Sequence, residues 1–140
     1  MKFILSLPLT LLPLIAYNII VFSGGASDPA MIFETPVLGF DMVSGARFTM
    51  VTGDLLVTGA LVVLFIEVLK ATRTGTVALA DHILSMLVFV AYLVEFLVIG
   101  GAATSVFFIL MVVALIDVIA GFSITISGAR RDFAVGPDAH

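Results

Sequence analysis

Two carboxylates lie inside long apolar stretches of this sequence, where an ionisable side chain is costly. Glu95 lies within the apolar run 87–99 and Asp117 within the run 106–120, and neither run contains a lysine or arginine. Runs of this length and apolarity are typical of membrane-spanning helices. An ionisable residue inside such a helix is a candidate functional site, and the chemistry it suggests is proton or cation binding.

Two other interpretations of these acids remain open. At similar depth two ionised carboxylates would repel each other, so protonated or hydrogen-bonded acids that tie helices together are one alternative. Asn18, Tyr17 and Tyr92 are the polar side chains expected at a comparable height. The other alternative is that one acid bonds to a partner subunit, a pigment or a lipid headgroup. The candidate intramembrane site is Glu95, Asp117, Asn18 and Tyr92.

The composition indicates an integral membrane protein. The chain has 140 residues, of which 61% are hydrophobic and 11% are charged, and its mean hydropathy is +1.29. Soluble domains carry roughly 25% charged residues. The length accommodates about four spans of ~20 residues and one modest loop, which predicts a single membrane domain over residues 1–140. Cysteine is absent, which excludes disulfides and thiol chemistry.

The predicted fold is a four-helix transmembrane bundle with a small extracytoplasmic β-hairpin between the first and second helices. The predicted helices cover residues 3–22, 55–72, 79–99 and 104–128, and the external loop covers 23–53. A secretory signal peptide competes for the first run, but the run exceeds the usual ~7–15-residue apolar core, which favours a retained helix. Pro8 and Pro13 would bend that helix. Ser6, Thr10, Pro13 and Tyr17 share one of its faces.

The loop between the first two helices contains a hairpin signal. Two short runs rich in β-branched and aromatic residues, 36–43 and 46–52, flank Ser44-Gly45. Glycines and prolines earlier in the loop are expected to prevent any helix there. Because an isolated hairpin is marginal in water, we expect it to cap the helix ends, anchor at the interface, or dock onto another protein.

Five ionisable residues near the predicted helix ends have simpler structural roles. Asp54 is predicted to be the N-cap of the second helix, with its carboxylate accepting backbone N–H bonds. Glu67 and Lys70 are three residues apart, so they can pair while Lys70 extends to the membrane interface. Asp81 and His82 lie near the start of the third helix, where a hydrogen-bonded interfacial histidine is expected.

The polar residues of the third and fourth helices follow helical periodicity. Asp81, Ser85, Tyr92 and Glu95 fall on one stripe of the third helix, and His82 lies one position off it. The fourth helix is predicted to begin with Thr104 or Ser105 as its N-cap. Its small and polar residues form a stripe that permits close helix approach. That stripe consists of Ala114, Asp117, Gly121, Thr125 and Gly128.

The distribution of basic residues predicts the orientation. With four crossings, five of the six basic residues fall on one side, and Arg47 alone falls on the other. The positive-inside rule then places both termini in the cytoplasm and the loop 23–53 outside. The five residues on the cytoplasmic side are Lys2, Lys70, Arg73, Arg130 and Arg131.

Known catalytic and cofactor motifs are missing from the sequence. It contains no nucleophile triad pattern, zinc-protease motif, dinucleotide fingerprint or phosphate loop. With two isolated histidines, neither haem nor metal ligation is favoured. The sequence therefore predicts no enzyme, no cofactor and no metal site, and its few bases form no nucleic-acid footprint.

Several polar strings also carry a family resemblance, from the second to the fourth helix. They are Glu67-Val-Leu-Lys-Ala-Thr-Arg-Thr-Gly75, Asp81-His82, Ala103-Thr-Ser-Val-Phe-Phe108, Asp117 with Ala120-Gly121-Phe122, and Ala129-Arg-Arg-Asp132. Together they resemble a group of short four-span bacterial inner-membrane proteins carried as hypothetical proteins. The resemblance implies a fold and a location and brings no activity.

The leading functional prediction is a non-catalytic accessory or scaffold subunit that packs beside a larger inner-membrane complex or self-associates. Small size, missing catalytic motifs and an apolar external loop support it, and the surrounding partner is membrane lipid. The runner-up is a small proton- or cation-linked transporter or channel using Glu95 and Asp117. A sensor role through the outer hairpin is the third possibility.

Overall fold

The fold is mostly helical and contains three long apolar helices. The computed structural model describes residues 7–25, 28–73 and 76–134, without the side chains of Thr76, Val77 and Asp132. Residues 3–6 of the predicted first helix, the turn residue Gly75 and the end of the C-terminal tail lie outside these ranges. The elements are α1 (Leu11–Gly24), α2 (Pro29–Phe33), β1 (Pro36–Asp41), β2 (Arg47–Val51), α3 (Thr52–Ala71), α4 (Thr76–Val98), a short 3₁₀ turn (Gly100–Ala102) and α5 (Ser105–Ala134).

Helices α3, α4 and α5 are long and apolar enough to cross a membrane, in agreement with a membrane protein. Helix α1 has 14 residues and so a length of about 21 Å, less than the ~30 Å hydrocarbon core of a bilayer. Three spans of sufficient length are therefore present in the described part of the chain. The four-span bundle stays a prediction.

Residues 7–10 were predicted to be helical, but α1 begins at Leu11, and two prolines explain the difference. Pro8 has no backbone N–H, and its carbonyl accepts the Leu11 N–H at 3.2 Å in a tight turn that precedes α1. Pro13 occupies the third helical position, where the missing N–H would lack an intrahelical partner in any case. Residues Leu7–Thr10 consequently form turns instead of a helix.

Helix α5 is the centre of the bundle and packs against α3, α4 and α1. Aromatic rings fill the core between these helices. The Tyr17 ring stacks on Phe33 of α2 at a centroid distance of 4.7 Å and meets Phe107 of α5 edge-on at 4.9 Å. Tyr92 of α4 contacts the same Phe107 ring at 5.6 Å. The described part of the predicted polar face is thus buried, since Thr10, Pro13 and Tyr17 are all inaccessible, and Ser6 lies outside the described residues.

The antiparallel β-hairpin is confirmed. Leu38 pairs with Met50 and Phe40 with Phe48, and Gly45 takes a left-handed conformation (φ 87°) in the connecting turn. Most hairpin residues are exposed. We refer to the end of the bundle next to β1 and β2 as the hairpin end.

Two local expectations were wrong. The loop was expected to contain no helix, yet Pro29 starts the short helix α2, because proline suits the first helical position and Asp28 accepts the Ala30 N–H at 3.0 Å. Asp54 is not the N-cap of α3. The helix begins at Thr52, and the Asp54 carboxylate reaches back to the Val51 N–H at 3.2 Å.

Candidate functional site

Ionisable side chains from different helices converge on the turn that precedes α1. We call this set the polar cluster: the side chains of Thr10, Glu67, Lys70, Asp81 and Asp117 together with the backbone of residues 7–10. Glu67 and Lys70 come from the end of α3, Asp81 from the first turns of α4, and Asp117 from the middle of α5. Glu67, Asp81 and Asp117 are 2%, 7% and 5% exposed, so all three acids are buried.

The polar cluster satisfies backbone groups that the missing helical turns leave without partners. The Leu9 N–H donates to Glu67 Oε1, and Lys70 Nζ donates to the Leu7 carbonyl at 3.2 Å. The Tyr92 hydroxyl of α4 donates to the Thr10 carbonyl at 2.8 Å. Non-helical backbone is tolerated at membrane depth only where protein buries and pairs it. These side chains supply that pairing.

One amine lies among the three acids. Lys70 Nζ is 3.0 Å from Glu67 Oε1 and 3.5 Å from Asp81 Oδ1, and its side chain is mostly buried. The Lys70 side chain therefore points into the bundle, whereas the sequence predicts that it extends to the membrane interface. Asp81 Oδ1 is buried and accepts no hydrogen bond from the described residues.

Asp117 lies on the side of the polar cluster nearest α1. Its Oδ2 accepts a long hydrogen bond, of 3.5 Å, from the Thr10 hydroxyl. The N-terminus of α1 carries the positive end of the helix dipole. Asp117 and Glu67 both lie at this end, which favours negative charge there.

The depth of the polar cluster is similar on all three long helices. At ~1.5 Å per residue, Asp117 is about 18 Å, Glu67 about 22 Å and Asp81 about 25 Å from the hairpin end of its helix. These distances exceed half of a ~30 Å hydrocarbon core. The polar cluster therefore lies within the apolar spans, in the half away from the hairpin.

The sequence-predicted site is only partly brought together. Asp117 belongs to the polar cluster and Tyr92 contacts it through the Thr10 carbonyl, whereas the half-buried Glu95 side chain makes no hydrogen bond or ion pair with a described residue, Asp117 included. Asn18 donates to the Leu14 carbonyl of its own helix at 3.0 Å. The structure instead places Glu67, Lys70 and Asp81 in the site, whereas the sequence predicts structural roles for them near helix ends.

His82 has a packing role between α4 and α5. Its Nε2 lies 2.6 Å from the Thr125 hydroxyl, which also donates to the Gly121 carbonyl at 2.9 Å. A Cβ atom at Gly121 would come within 2.6 Å of His82 Nδ1, so glycine is required for this approach. His82 is buried, where an interfacial position was expected. Within the described residues, no group of three or more acids or histidines is arranged to hold a metal ion.

A second polar contact closes the hairpin end of the bundle. The Tyr17 hydroxyl donates to the Gly101 carbonyl at 2.7 Å and lies 2.7 Å from the Thr104 hydroxyl. Thr104 caps α5 as predicted, since its Oγ1 accepts the Phe107 N–H at 3.1 Å. Helix α1 is thus held at both ends by contacts with other helices.

Comparisons of the chain with known protein families, with curated proteins and with solved structures find no match in any of the three. The resemblance to small bacterial inner-membrane proteins accordingly stays a prediction from the sequence.

Proposed function

We propose that the protein is a non-catalytic membrane subunit that docks onto a larger membrane complex through its hairpin. One observation carries the proposal, and it is the apolar face of the hairpin. This face consists of Leu38, Phe40, Phe48 and Met50. Residues two apart on a strand share a face, and the pairing places Leu38 opposite Met50 and Phe40 opposite Phe48.

The apolar face is open to its surroundings. Leu38, Phe40 and Phe48 are exposed. The two phenylalanine rings contact each other, with their centroids 5.2 Å apart. The opposite face carries the exposed Asp41–Arg47 ion pair. A two-stranded hairpin is marginal by itself, and contiguous exposed apolar surface marks interaction sites. An amphipathic hairpin of this kind is suited to being covered on one face by a partner.

We further infer a location in the bacterial inner membrane with both termini in the cytoplasm. The charge asymmetry of the chain supports this orientation, because α3 lies between Arg47 and the group of Lys70, Arg73, Arg130 and Arg131 at or beyond its far end. In this orientation the hairpin lies outside the cytoplasm, and the partner presents its docking surface there.

Native mass spectrometry tests the docking proposal. The tagged protein is extracted from its own membrane in a mild detergent, and larger subunits are expected at fixed stoichiometry. Phe40→Ser combined with Phe48→Ser should abolish their co-purification, because it makes the apolar face polar. Asp41→Asn combined with Arg47→Gln is the matched control on the opposite face and should retain the complex.

Two results would contradict the accessory function. One is a complex that survives the Phe40→Ser and Phe48→Ser changes unaltered. The other is a purified protein that moves an ion or solute across liposome membranes with saturable kinetics. A homo-oligomer lost in the phenylalanine variant would identify a second copy of the chain as the docking partner.

A second candidate function, proton- or cation-linked transport, is favoured by the composition of the polar cluster. The polar cluster contains three buried carboxylates and one amine, which pairs with Glu67 and Asp81, and Asp81 Oδ1 has no hydrogen-bond donor among the described residues. Such an arrangement holds more acidic groups than its single positive charge neutralises. Intramembrane acids of this kind mark proton and ion pathways.

Proteoliposomes containing a pH-sensitive dye test the transport function. Wild type should carry protons down an imposed potential, and Asp81→Asn or Asp117→Asn should abolish the flux. Glu95→Gln is the matched control, because Glu95 lies outside the polar cluster, and it should retain transport. Asparagine variants that transport like wild type would leave the acids with the structural role alone.

A further inference from the structure

A polar groove opens at the end of the bundle opposite the hairpin, separate from the polar cluster and from the apolar face. It lies between the end of α3, the first turns of α4 and the last turns of α5, and its volume is about 630 Å³. Small-ligand sites have volumes of about 300–1,000 Å³. The groove is therefore large enough for the headgroup and glycerol region of a lipid.

Two arginines line this groove from different parts of the chain. Arg73 follows α3, which ends at Ala71, and Arg131 lies in the last turn of α5. Neither forms an ion pair with the side chains that the structure describes, whereas Arg47 pairs with Asp41 and Lys70 with Glu67 and Asp81. Two guanidinium groups that line one groove provide the chemistry for a phosphate, which each can bind through paired N–H donors.

The remaining walls are suited to a lipid. Ser127 adds a hydroxyl donor, while Leu79 and Ile124 line the groove with apolar side chains. The groove lies where three helices of spanning character end or begin, and Leu79 is exposed. Apolar walls beside paired cations at the end of a span match the boundary between acyl chains and headgroups. Basic pockets between membrane helices bind anionic headgroups by the same chemistry.

We propose that this groove binds the phosphate headgroup of an anionic phospholipid, with Arg73 and Arg131 as its ligands. The site is independent of the docking function, because it lies at the opposite end of the bundle from the hairpin. It binds one lipid in preference to the zwitterionic lipids around it, and the anionic charge of the lipid determines that preference.

Native mass spectrometry of delipidated protein in a non-ionic detergent tests the proposal. Phosphatidylglycerol and phosphatidylcholine with identical acyl chains are titrated separately, and wild type should bind the first more tightly. Arg73→Gln and Arg131→Gln should each weaken phosphatidylglycerol binding about fivefold, and the double variant about 25-fold. Phosphatidylcholine binding should not change.

Arg130→Gln is the matched control, since Arg130 neighbours Arg131 in sequence and does not line the groove. It should bind phosphatidylglycerol like wild type. Equal affinities of wild type for the two lipids would overturn the proposal, as would an equal loss in Arg130→Gln. Inorganic phosphate that displaces the lipid at equal concentration would assign the site to free phosphate and overturn the lipid assignment. Thermal unfolding monitored by circular dichroism checks that each variant is folded.

Discussion

Two ion pairs in this protein have similar N–O distances but different surroundings. Lys70 and Glu67 are 3.0 Å apart inside the bundle, and Arg47 and Asp41 are 3.2 Å apart on the hairpin. The Glu67 side chain is 2% exposed and the Asp41 side chain 76% exposed. The interior pair also binds backbone groups of residues 7–10, and the hairpin pair binds only itself. Surroundings and additional partners, more than distance, separate a structural ion pair from an incidental one.

The largest effect should come from removing the buried amine. Lys70→Met keeps a long side chain but leaves Glu67 and Asp81 without a positive partner and the Leu7 carbonyl without a donor. Breaking a buried ion pair costs about 3–5 kcal/mol. We expect a loss of that size in the free energy of unfolding, measured by denaturant titration in detergent micelles.

A double variant separates the cost of the unpaired carboxylate charge from the other effects of removing Lys70. Lys70→Met combined with Glu67→Gln should be more stable than Lys70→Met alone, because it removes one uncompensated charge and keeps an acceptor for the Leu9 N–H. A loss below about 1 kcal/mol in the single variant would make the buried pair equivalent to the surface pair.

A steric comparison along α5 should give the next largest effect. Gly121→Ala places a Cβ atom within 2.6 Å of His82, whereas a Cβ at Gly128 meets nothing within 4 Å. Overpacking typically costs about 1–3 kcal/mol, and Gly128→Ala should leave stability unchanged or raise it by up to about 1 kcal/mol. Thermal unfolding of the two variants side by side measures the difference. Equal destabilisation would show that the buried and open glycines do not differ.

A smaller effect should follow from removing the neutral hydrogen bond that Tyr92 donates to the turn before α1. Tyr92→Phe keeps the ring that packs against Phe107 but leaves the Thr10 carbonyl without its hydroxyl donor. Interhelical hydrogen bonds in membranes average about 0.6 kcal/mol and reach about 1.7 kcal/mol. We expect a loss in this range, with faster hydrogen exchange of the Leu11 and Leu12 amides. Unchanged hydrogen exchange of these two amides would show that the Tyr92 hydroxyl does not stabilise the turn before α1.

The smallest effect should be at the hairpin pair. Asp41→Asn removes an exposed salt bridge whose contribution is about 0.2–1 kcal/mol. The unfolding free energy should change by less than about 1 kcal/mol, and 0.5 M salt should remove the remaining difference from wild type. A loss as large as that of Lys70→Met would mean that the hairpin pair is covered in the folded protein.

Much of the architecture follows from local sequence signals. Hydropathy predicts the three long helices, and the Ser44-Gly45 turn between β-prone runs predicts the hairpin. Local stereochemistry also predicts Thr104 as a cap. The start of α1 is different, because hydropathy is high on both sides of Pro8 and does not show where the backbone leaves the helical path.

The composition of the polar cluster depends on the start of α1, for which the sequence predicts a bend at Pro8 but not the non-helical backbone of residues 7–10. Glu67 and Lys70 are one turn apart near a helix end, a pattern that also fits a solvated pair at the interface. Their inward direction is determined by the unpaired backbone of residues 7–9, which lies 58 or more residues away in the sequence. The nearest usable signal was the Asp81–Ser85–Tyr92 stripe on α4, which indicates one polar side of that helix but not what it contacts.

The turn before α1 also has a consequence for the order of events during synthesis. The Leu9 amide and the Thr10 carbonyl are made first, yet Glu67 follows Leu9 by 58 residues and Tyr92 follows Thr10 by 82 residues. At ~5–20 residues per second, the ribosome needs about 4–16 s to reach Tyr92 after Thr10. During that interval the turn requires substitute partners, such as water or the insertion machinery. The first apolar segment should therefore enter the lipid phase together with the later helices and not ahead of them.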